Sequence, residues 1–285
     1  MSTFSTCTST TRPTSPATGD VLFETDSNNI IIWDGTNWRG YQNDGISVSG
    51  WSGQNRLTAS FDGTNDYMET SVPSITGTEA ITISGWLYVT SALVSYDQFI
   101  AIRGSTSGGS ARMLGVETSG KLTFNTFASQ LAGTTTLSLN TWYHIAATCN
   151  LGTAKVYLDG VLEASGSVTY NSVASGNTFT VARGGTSEYA PAKIDDVAVW
   201  NEALGDGGVS VGSTATGDIA TLYNSGVPGN ILSLGSGPKG WWRMGDGYEG
   251  GSGTTIYDMS LSSNNGELMN GASIVSIGSG ESIYV

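Results

Sequence analysis

The sequence has little of what most catalytic and metal-binding chemistry needs. Among 285 residues it has one histidine, His144, and two cysteines, Cys7 and Cys149. Because no cluster of histidine and cysteine exists, the composition argues against a zinc site. A disulfide framework needs more than one cysteine pair, so we expect both thiols to be free.

Positive charge is also scarce. Lys and Arg number 11 against 24 Asp and Glu, which gives a formal net charge of −13. Such a surface repels phosphate backbones, so we expect no direct binding to nucleic acid. No apolar run approaches the roughly 18 residues of a membrane span, and residues 1–20 lack the apolar core of a signal peptide. We therefore expect no membrane insertion, and synthesis in a cytoplasm without a signal peptide.

Charged residues make up only 12% of the chain, and the straight-chain helix formers among them are few. In their place stand 40 glycines, 8 tryptophans and 12 tyrosines. From about residue 46 onward, short β-rich runs alternate with turn signals at regular spacing, as in sandwiches and jelly rolls. One short helix is predicted within 214–226, with Gly226 as its end. The sequence predicts an all-β, antiparallel sandwich.

The N-terminal region differs in composition from the rest. Residues 1–19 are rich in Ser, Thr and Pro, which is typical of a disordered arm, and we expect a neighbouring chain to hold this arm. The runs VLFET and IIIWDG flank the turn-forming DSNN, which predicts a β-hairpin, and DGTNW predicts a second turn and a short third strand. The run from Ile30 to Trp33 is expected to pack on the main domain or on another subunit. The predicted domains are 1–45, for attachment or oligomerisation, and 46–285.

Three segments resemble the laminin-G-like, concanavalin-A-like jelly-roll family. They are FDGTNDYME at 61–69, TWYHIAATCNLGTAKVYLDGVLEAS at 141–165 and AKIDDVAVWNEAL at 192–204, in the family's order. The resemblance spans about 46–285 and implies that fold. Residues 240–272, beginning GWWRMGDG and ending GELMNGA, resemble strands that open the domain in many members. We therefore expect a circularly permuted order, which is feasible where the termini lie close together.

A second resemblance covers residues 12–44, which read RPTSPATGDVLFETDSNNIIIWDGTNWRGYQND. This stretch is similar to leader modules of structural proteins of tailed bacteriophages. It implies a virion structural protein that displays a lectin-like jelly roll on the particle surface, as a head decoration, tail or fibre component. The arm would then bind other virion proteins, and the chain would form a homo-oligomer. The alternative is a carbohydrate-binding module of a bacterial surface or secreted protein.

The carboxylates and the histidine give little sign of catalysis. Glucanases on related jelly rolls carry a Glu-x-Asp-x-x-Glu run along one strand, and no such run is present. Strand alternation predicts that Asp195 and Asp196 lie on opposite faces, with Glu202 beyond the strand. We interpret His144 as a strand residue with a structural hydrogen bond. We expect no enzyme, although two carboxylates facing one cleft would favour glycan cleavage.

Oxygen ligands suited to Ca²⁺ are plentiful. The segment FDGTNDY places Asp62, Asn65 and Asp66 within one turn. The family resemblance implies a calcium ion where such a turn meets other acidic loop residues, which adds Asp196 and Asp258 as candidates. The alternative is that these residues only form turns.

The resemblance also implies a sugar site built on exposed aromatic side chains. The candidates in turn-rich segments are Tyr96, Tyr170, Tyr189 and Tyr248. Many copies on a particle would convert weak contacts with host surface glycans into avidity. A purely architectural role is the alternative. Five tryptophans stand in strand contexts and are expected in the core: Trp86, Trp142, Trp200, Trp241 and Trp242.

Overall fold

The computed structural model describes residues 5–8, 10–17, 20–24, 29–33, 38–42, 57–71, 79–92, 97–103, 108–173, 178–185, 188–247, 253–260, 262–278 and 281. The chain divides into two compact units, residues 1–54 and 55–285, and each is described by itself. Within the described ranges, no helix is long and apolar enough to cross a membrane.

The first unit contains a four-stranded sheet. Its strands, in spatial order, are β1 (Ser5–Cys7), β2 (Val21–Glu24), β3 (Asn29–Trp33) and β4 (Trp38–Gln42). Strands β2, β3 and β4 pair antiparallel, which confirms the predicted hairpin and third strand. Strand β1 pairs parallel with β2, so the chain's own hairpin holds residues 5–7, where we expected a neighbouring chain. Among the described residues of this unit, Cys7, Leu22 and Ile31 are buried. Cys7 and Cys149 form no disulfide, as predicted.

The second unit is a sandwich of two antiparallel sheets, which confirms the predicted fold class. Its strands are β5 (Leu57–Asp62), β6 (Tyr67–Ser71), β7 (Ile81–Val89), β8 (Asp97–Arg103), β9 (Ala111–Val116), β10 (Lys121–Asn125), β11 (Gln130–Thr136), β12 (Trp142–Asn150), β13 (Thr153–Leu158), β14 (Val161–Ser167), β15 (Thr178–Val181), β16 (Pro191–Trp200), β17 (Gly240–Trp242), β18 (Thr255–Ile256), β19 (Gly266–Met269) and β20 (Ser273–Ser276). Sheet A has the order β11-β10-β9-β8-β15-β6-β19-β18. Sheet B has the order β14-β13-β12-β7-β16-β5-β20, with β17 beside β16.

Strand alternation builds the core between the two sheets. In β7, Ile83 and Leu87 point inward and are fully buried, whereas Trp86 faces outward from sheet B. Across the core, Phe179 of sheet A stacks on Trp242 with ring centres 4.7 Å apart. Burying a side chain of this size contributes roughly 1.5–3 kcal/mol, so the inward residues supply most of the driving force for folding.

The outer face of sheet B carries a second apolar layer. Helix α1 (Gly217–Tyr223) and a following 3-10 turn (Asn224–Gly226) confirm the predicted helix and its end. Ile219 and Leu222 of this helix pack on the sheet against the cluster that includes Trp200. The helix is too short to be stable alone, so this packing must hold it.

The C-terminal strands enter both sheets. Strand β19 pairs with β6 in sheet A, while β20 pairs with β5 and β17 with β16 in sheet B. Strands β18, β19 and β20 therefore complete the edge of the sandwich beside β5 and β6. The permuted order remains a prediction. The predicted burial of the tryptophans is confirmed, with at most 8% exposure for Trp86, Trp142, Trp200, Trp241 and Trp242.

Candidate functional site

A pair of tyrosines meets on the outer face of sheet A. Because Met68 of β6 points into the core, its neighbours Tyr67 and Glu69 face outward. Tyr189 lies just before β16, and the centre of its ring is 6.2 Å from that of Tyr67. Both tyrosines are half-buried, so each keeps part of its side chain at the surface. Together with Arg183, these residues form the tyrosine patch: Tyr67, Glu69, Arg183 and Tyr189.

Arg183 lies in the turn after β15 and contacts the other three residues of the patch. Its guanidinium carbon lies 3.7 Å from the centre of the Tyr67 ring, and its Nη2 forms an ion pair with Glu69. Arg183 also forms an isolated bridge with Tyr189, while its carbonyl accepts a hydrogen bond from Thr180 Oγ1 at 2.6 Å. The result is a fixed aromatic surface with a charged donor and a charged acceptor at its edge.

The patch has an acidic border. Glu267 of β19 is directly opposite Glu69 in the β6–β19 pair and is exposed. Thr255 Oγ1 donates a hydrogen bond to Glu267 Oε2 at 3.1 Å. Two like charges directly opposite one another on paired strands repel each other. The ion pair with Arg183 offsets the negative charge of Glu69. The border therefore keeps negative charge at the surface.

The predicted turn between β5 and β6 runs directly into the patch, because it ends at the residue before Tyr67. Asp62 Oδ1 accepts hydrogen bonds from the backbone N of Thr64 at 2.7 Å and of Asn65 at 3.4 Å. Asp66 Oδ2 accepts one from the backbone N of Asp62 at 3.3 Å. These are the contacts of an Asx turn, so the side chains shape the loop whether or not they bind an ion.

The two carboxylates of this loop differ in environment. The Thr64 N–H lowers the pKa of the exposed Asp62. Burial, and then the negative charge of Asp62, raise the pKa of Asp66 above its ordinary value. Gly63 has a φ of +76°, and a Cβ there would come within 2.8 Å of Pro191 Cβ, so the turn requires glycine at this position.

Asp258, a predicted metal ligand, lies in another part of the sandwich. Its carboxylate accepts hydrogen bonds from the backbone N of Trp241 at 2.9 Å, of Ser260 at 2.8 Å and of Asn264 at 2.9 Å. It thus holds the chain after β18 against β17. In the described part of the chain, no three Asp, Glu, His or Cys side chains form a group able to hold a metal ion.

Asp196, another predicted ligand, is buried on the outer face of sheet B. Its Oδ1 accepts a hydrogen bond from Trp241 Nε1 at 2.9 Å and lies 3.4 Å from Arg243 Nε. Burial raises its pKa, whereas Arg243 and the Trp241 hydrogen bond act in the opposite direction. The structure thus brings Asp62, Asn65 and Asp66 together and places Asp196 and Asp258 elsewhere.

The prediction that Asp195 and Asp196 lie on opposite faces is wrong. Asp195 is paired with the outward-facing Trp86, and the register then shifts before Ala198. Asp196 has a φ of 44° and bonds the indole of Trp241 on the outer face. This β-bulge adds one residue, which turns both carboxylates to the same side. Burial, and then Asp196, raise the pKa of Asp195 well above its ordinary value.

Of the two predicted tyrosines among the described residues, Tyr170 and Tyr189, only Tyr189 belongs to the patch. The ring of Tyr170 lies under Arg112, 3.5 Å from the guanidinium carbon, and its hydroxyl donates to the carbonyl of Glu79 at 2.5 Å. Burial raises the pKa of Tyr170 to about 12. Tyr96 and Tyr248 lie outside the described residues.

His144 is a strand residue, as predicted, but the local hydrogen bond is made by its backbone and not by its ring Nδ1. The ring lies 5.2 Å from that of Trp86 and 5.8 Å from that of Tyr223. Burial lowers its pKa to about 3, so the ring is neutral at physiological pH. Nδ1 is buried and has no hydrogen-bond partner among the described residues. The backbone N of His144, rather than Nδ1, makes the local bond, to Asp159 Oδ1 at 2.7 Å.

Sequence reasoning missed Tyr67, Glu69 and Arg183. Alternation around Met68 would have placed Tyr67 and Glu69 on the outer face of β6. Arg183 had no such signal, because it is 114 residues from its partner Glu69. Only the pairing of β15 with β6 brings the two together.

The two antiparallel sheets define a β-sandwich of the concanavalin A-like type. A family model described as the concanavalin A-like lectin/glucanases superfamily matches residues 62–210, which is more than half of the chain. The chain belongs to this superfamily. No curated protein sequence matches it.

Three solved structures are similar to this chain at low sequence identity. A proposed carbohydrate-binding protein from Bacteroides ovatus matches over 92% of this chain and 70% of its own, with 19% identity and a TM-score of 0.54. A heptameric SAP-like pentraxin from Limulus polyphemus matches over 64% of this chain and 90% of its own, with 15% identity and a TM-score of 0.48. Domain 4 of an extracellular arabinanase from Geobacillus stearothermophilus, solved with arabinotriose, matches over 57% and 79%, with 16% identity and a TM-score of 0.41.

Proposed function

We propose that this protein is a carbohydrate-binding, lectin-like domain without catalytic activity, and that the tyrosine patch is its sugar site. The observation that carries the proposal is the half-buried pair Tyr67 and Tyr189, edged by the ion pair of Arg183 and Glu69. Membership of the lectin and glucanase superfamily supports it, as does the fold likeness to the Bacteroides ovatus protein.

The chemistry of the patch suits a sugar ring. The apolar C–H face of a pyranose would pack against the exposed part of the tyrosine rings. Its hydroxyls would donate to Glu69 and accept from Arg183, whose positions are already fixed by their mutual ion pair. Preorganised groups of this kind reduce the entropy lost on binding. A shallow surface of this size would bind one sugar weakly, so several copies would be needed for strong attachment.

The charge of the site points to neutral glycans. Glu69 and Glu267 stand opposite one another, Asp62 is exposed in the loop that precedes Tyr67, and Arg183 is the only cation of the patch. The whole chain carries a formal charge of −13. A sialylated or sulfated sugar would therefore meet repulsion both at the patch and during approach.

We propose Ca²⁺ for the Asp62–Asp66 loop alone. The loop offers two carboxylates and the Asn65 side chain, whereas Ca²⁺ takes six to eight oxygen ligands, so backbone carbonyls and water would supply the rest. The fit rests on Asp66, whose pKa is raised by burial and by the neighbouring Asp62 charge. A divalent cation between the two carboxylates would relieve that repulsion.

We further propose that the domain is displayed on a bacteriophage particle, as a head decoration, tail or fibre component. The resemblance of residues 12–44 to phage leader modules supports this role, and the first unit would then bind other virion proteins or further copies of the chain. A carbohydrate-binding module of a bacterial surface or secreted protein fits the family and the fold no worse. We retain the circularly permuted strand order as part of the proposal.

The test of sugar binding is a glycan array followed by titration calorimetry with the full chain. Tyr67→Ala removes one ring of the patch, and Phe127→Ala is the matched control. Phe127 is 41% exposed. It lies in the turn between β10 and β11, near the edge of sheet A that is farther from β6. We expect glycans that bind the parent and the Phe127→Ala variant to lose measurable affinity for Tyr67→Ala. The proposal fails if no glycan binds, or if both variants bind as the parent does.

A further inference from the structure

Three polar side chains converge on one small cavity beneath the helical cover of sheet B. They are Ser84 of β7, His144 of β12 and Asp196 of β16, and their side chains all face outward from the sheet. The cavity measures about 10 Å³, and Leu222, Pro228, Gly229 and Ile231 line its other side. Ser84 is 1% exposed, His144 2% and Asp196 8%. All three are thus more than nine-tenths buried.

Each of these side chains presents an unsatisfied atom. Ser84 Oγ, His144 Nδ1 and Asp196 Oδ2 are buried, and none has a hydrogen-bond partner among the described residues. Leaving such a group unpaired is unfavourable, because it gives up its hydrogen bonds to water without replacing them. Three of them around one cavity would cost a large fraction of a domain's net stability.

Two of the three side chains, Asp196 and His144, are held in place by other contacts. Asp196 is held through its second oxygen, which accepts the indole N–H of Trp241 at 2.9 Å. The imidazole of His144 packs against the rings of Trp86 and Tyr223, with ring centres 5.2 and 5.8 Å away. Both residues line the cavity, and each retains one buried atom without a hydrogen-bond partner among the described residues.

We propose that the cavity is a binding site for one water molecule, held by Ser84 Oγ, His144 Nδ1 and Asp196 Oδ2. A volume of about 10 Å³ is close to the minimum that holds one water, and such waters make about three hydrogen bonds. The balance of donors also fits. The water donates one hydrogen to the Asp196 carboxylate and one to the neutral His144 ring, and it accepts the hydrogen of the Ser84 hydroxyl.

A water is favoured over a metal ion by charge and by donor type. Arg243 Nε lies 3.4 Å from Asp196 Oδ1, so this carboxylate already has a cation beside it. The remaining donors are one imidazole nitrogen and one neutral hydroxyl, and hard cations prefer a larger set of oxygens. The water joins three adjacent strands at a point where Leu222 and Ile231 of the cover pack. This inference does not depend on sugar binding.

The decisive experiment is a high-resolution crystal structure of the full chain. We expect one density peak within about 2.7–3.2 Å of all three atoms, with no anomalous signal. An empty cavity would overturn the proposal. So would a peak with contacts near 2.0–2.4 Å and an anomalous signal, because such contacts indicate a metal ion.

A solution measurement provides a second arm. Oxygen-17 relaxation dispersion counts water molecules that stay in a protein for longer than nanoseconds. Ser84→Val fills the cavity with methyl groups, and Ser165→Val changes an exposed serine on β14 as the matched control. We expect the count to fall by one in Ser84→Val and to stay unchanged in Ser165→Val. An unchanged count in a folded Ser84→Val variant contradicts the proposal, and the parent crystal decides if that variant does not fold.

Discussion

Glu69 and Glu267 stand directly opposite each other on neighbouring antiparallel strands of sheet A. Pairs of like charge at this spacing destabilise a sheet, and here a single arginine is bound to one member, Glu69. The other carboxylate, that of Glu267, therefore leaves its negative charge at the edge of the tyrosine patch.

The charge of Glu267 should govern selectivity between neutral and anionic sugars. A neutral glycan and its sialylated form can be compared by calorimetry with the parent and with Glu267→Gln. We expect the parent to bind the neutral form more tightly than the sialylated form. In Glu267→Gln the ratio of the two affinities should fall by about fivefold at low salt, because the interaction of two charges near 4 Å apart is worth about 1 kcal/mol in water. Added salt should shrink the same difference. Preference of the parent for the sialylated form would refute the assignment, whereas failure of both sugars to bind would refute the sugar site itself.

Calcium should stabilise the fold through the loop that carries Asp62 and Asp66. Because burial and Asp62 raise the pKa of Asp66, its contribution to stability is present below the ordinary value of 3.8 and is lost as the pH rises through the folded pKa. Calcium would recover that loss at neutral pH. We expect a saturating concentration, near one hundred times the dissociation constant, to add about 2.7 kcal/mol to the free energy of unfolding.

The measurement is thermal unfolding with added Ca²⁺ and with a chelator. Asp62→Asn should abolish the difference between the two conditions, and Asp218→Asn, on helix α1, should leave it intact. Equal midpoints with calcium and with chelator in the parent would remove the ion from the proposal.

His144 should make the protein sensitive to mild acid. Burial lowers its pKa from 6.5 to about 3, so the unfolded chain binds a proton in this interval and the folded chain does not. The stability that the neutral ring contributes is therefore complete above pH 6.5 and falls as the pH drops towards 3, by about 1.4 kcal/mol per unit. His144 is the single histidine of the chain, which makes the effect separable from others.

Urea unfolding between about pH 7 and pH 5 tests this, because most carboxyls titrate below that range. We expect His144→Phe to show a flatter dependence than the parent. Asp195 changes stability with pH in the opposite direction, because its raised pKa favours the protonated folded state. Both proteins contain Asp195, so its effect cancels when their pH dependences are compared. Parallel curves for the two proteins would show that His144 titrates normally.

Glu163 should stabilise the contact between the two sheets through hydrogen bonds. It lies on β14 of sheet B, and its carboxylate accepts four hydrogen bonds from the backbone N–H and hydroxyl groups of Thr134 and Thr135 on β11 of sheet A, at 2.7–2.9 Å. Burial raises its pKa, but the bonds from both threonines outweigh burial, so the pKa is lowered. The contribution is therefore present above its ordinary value of 4.5 and is lost as the pH falls through the folded pKa.

We expect Glu163→Ala to lower the free energy of unfolding at neutral pH by about 3 kcal/mol, because a charged acceptor of several bonds is lost. Glu163→Gln should lose less, since its amide oxygen keeps part of the acceptor role. Denaturant unfolding measures both changes. Equal losses in the two variants would mean that packing, rather than the hydrogen bonds, holds this edge.

Much of the fold was predictable because its signals are local. The alternation of Ile81, Ile83 and Leu87 marks one face of β7 as core, and the turn-forming residues between apolar runs mark hairpins. The buried tryptophans and the helix before Gly226 follow from the same reasoning. The β-bulge at Asp196 broke the alternation, and one inserted residue leaves no trace in the pattern of apolar and polar residues.

The amino-acid sequence by itself determined the class of fold, the strand faces away from the β-bulge and the acidic charge, because these depend on composition and on neighbours one to four positions apart. The tertiary structure alone decided which faces meet. The tyrosine patch joins Tyr67 to Arg183 and Tyr189, and the buried cavity joins Ser84 to His144 and Asp196. Strand order in the two sheets sets these neighbours, and that order follows from packing of the whole core rather than from any local pattern.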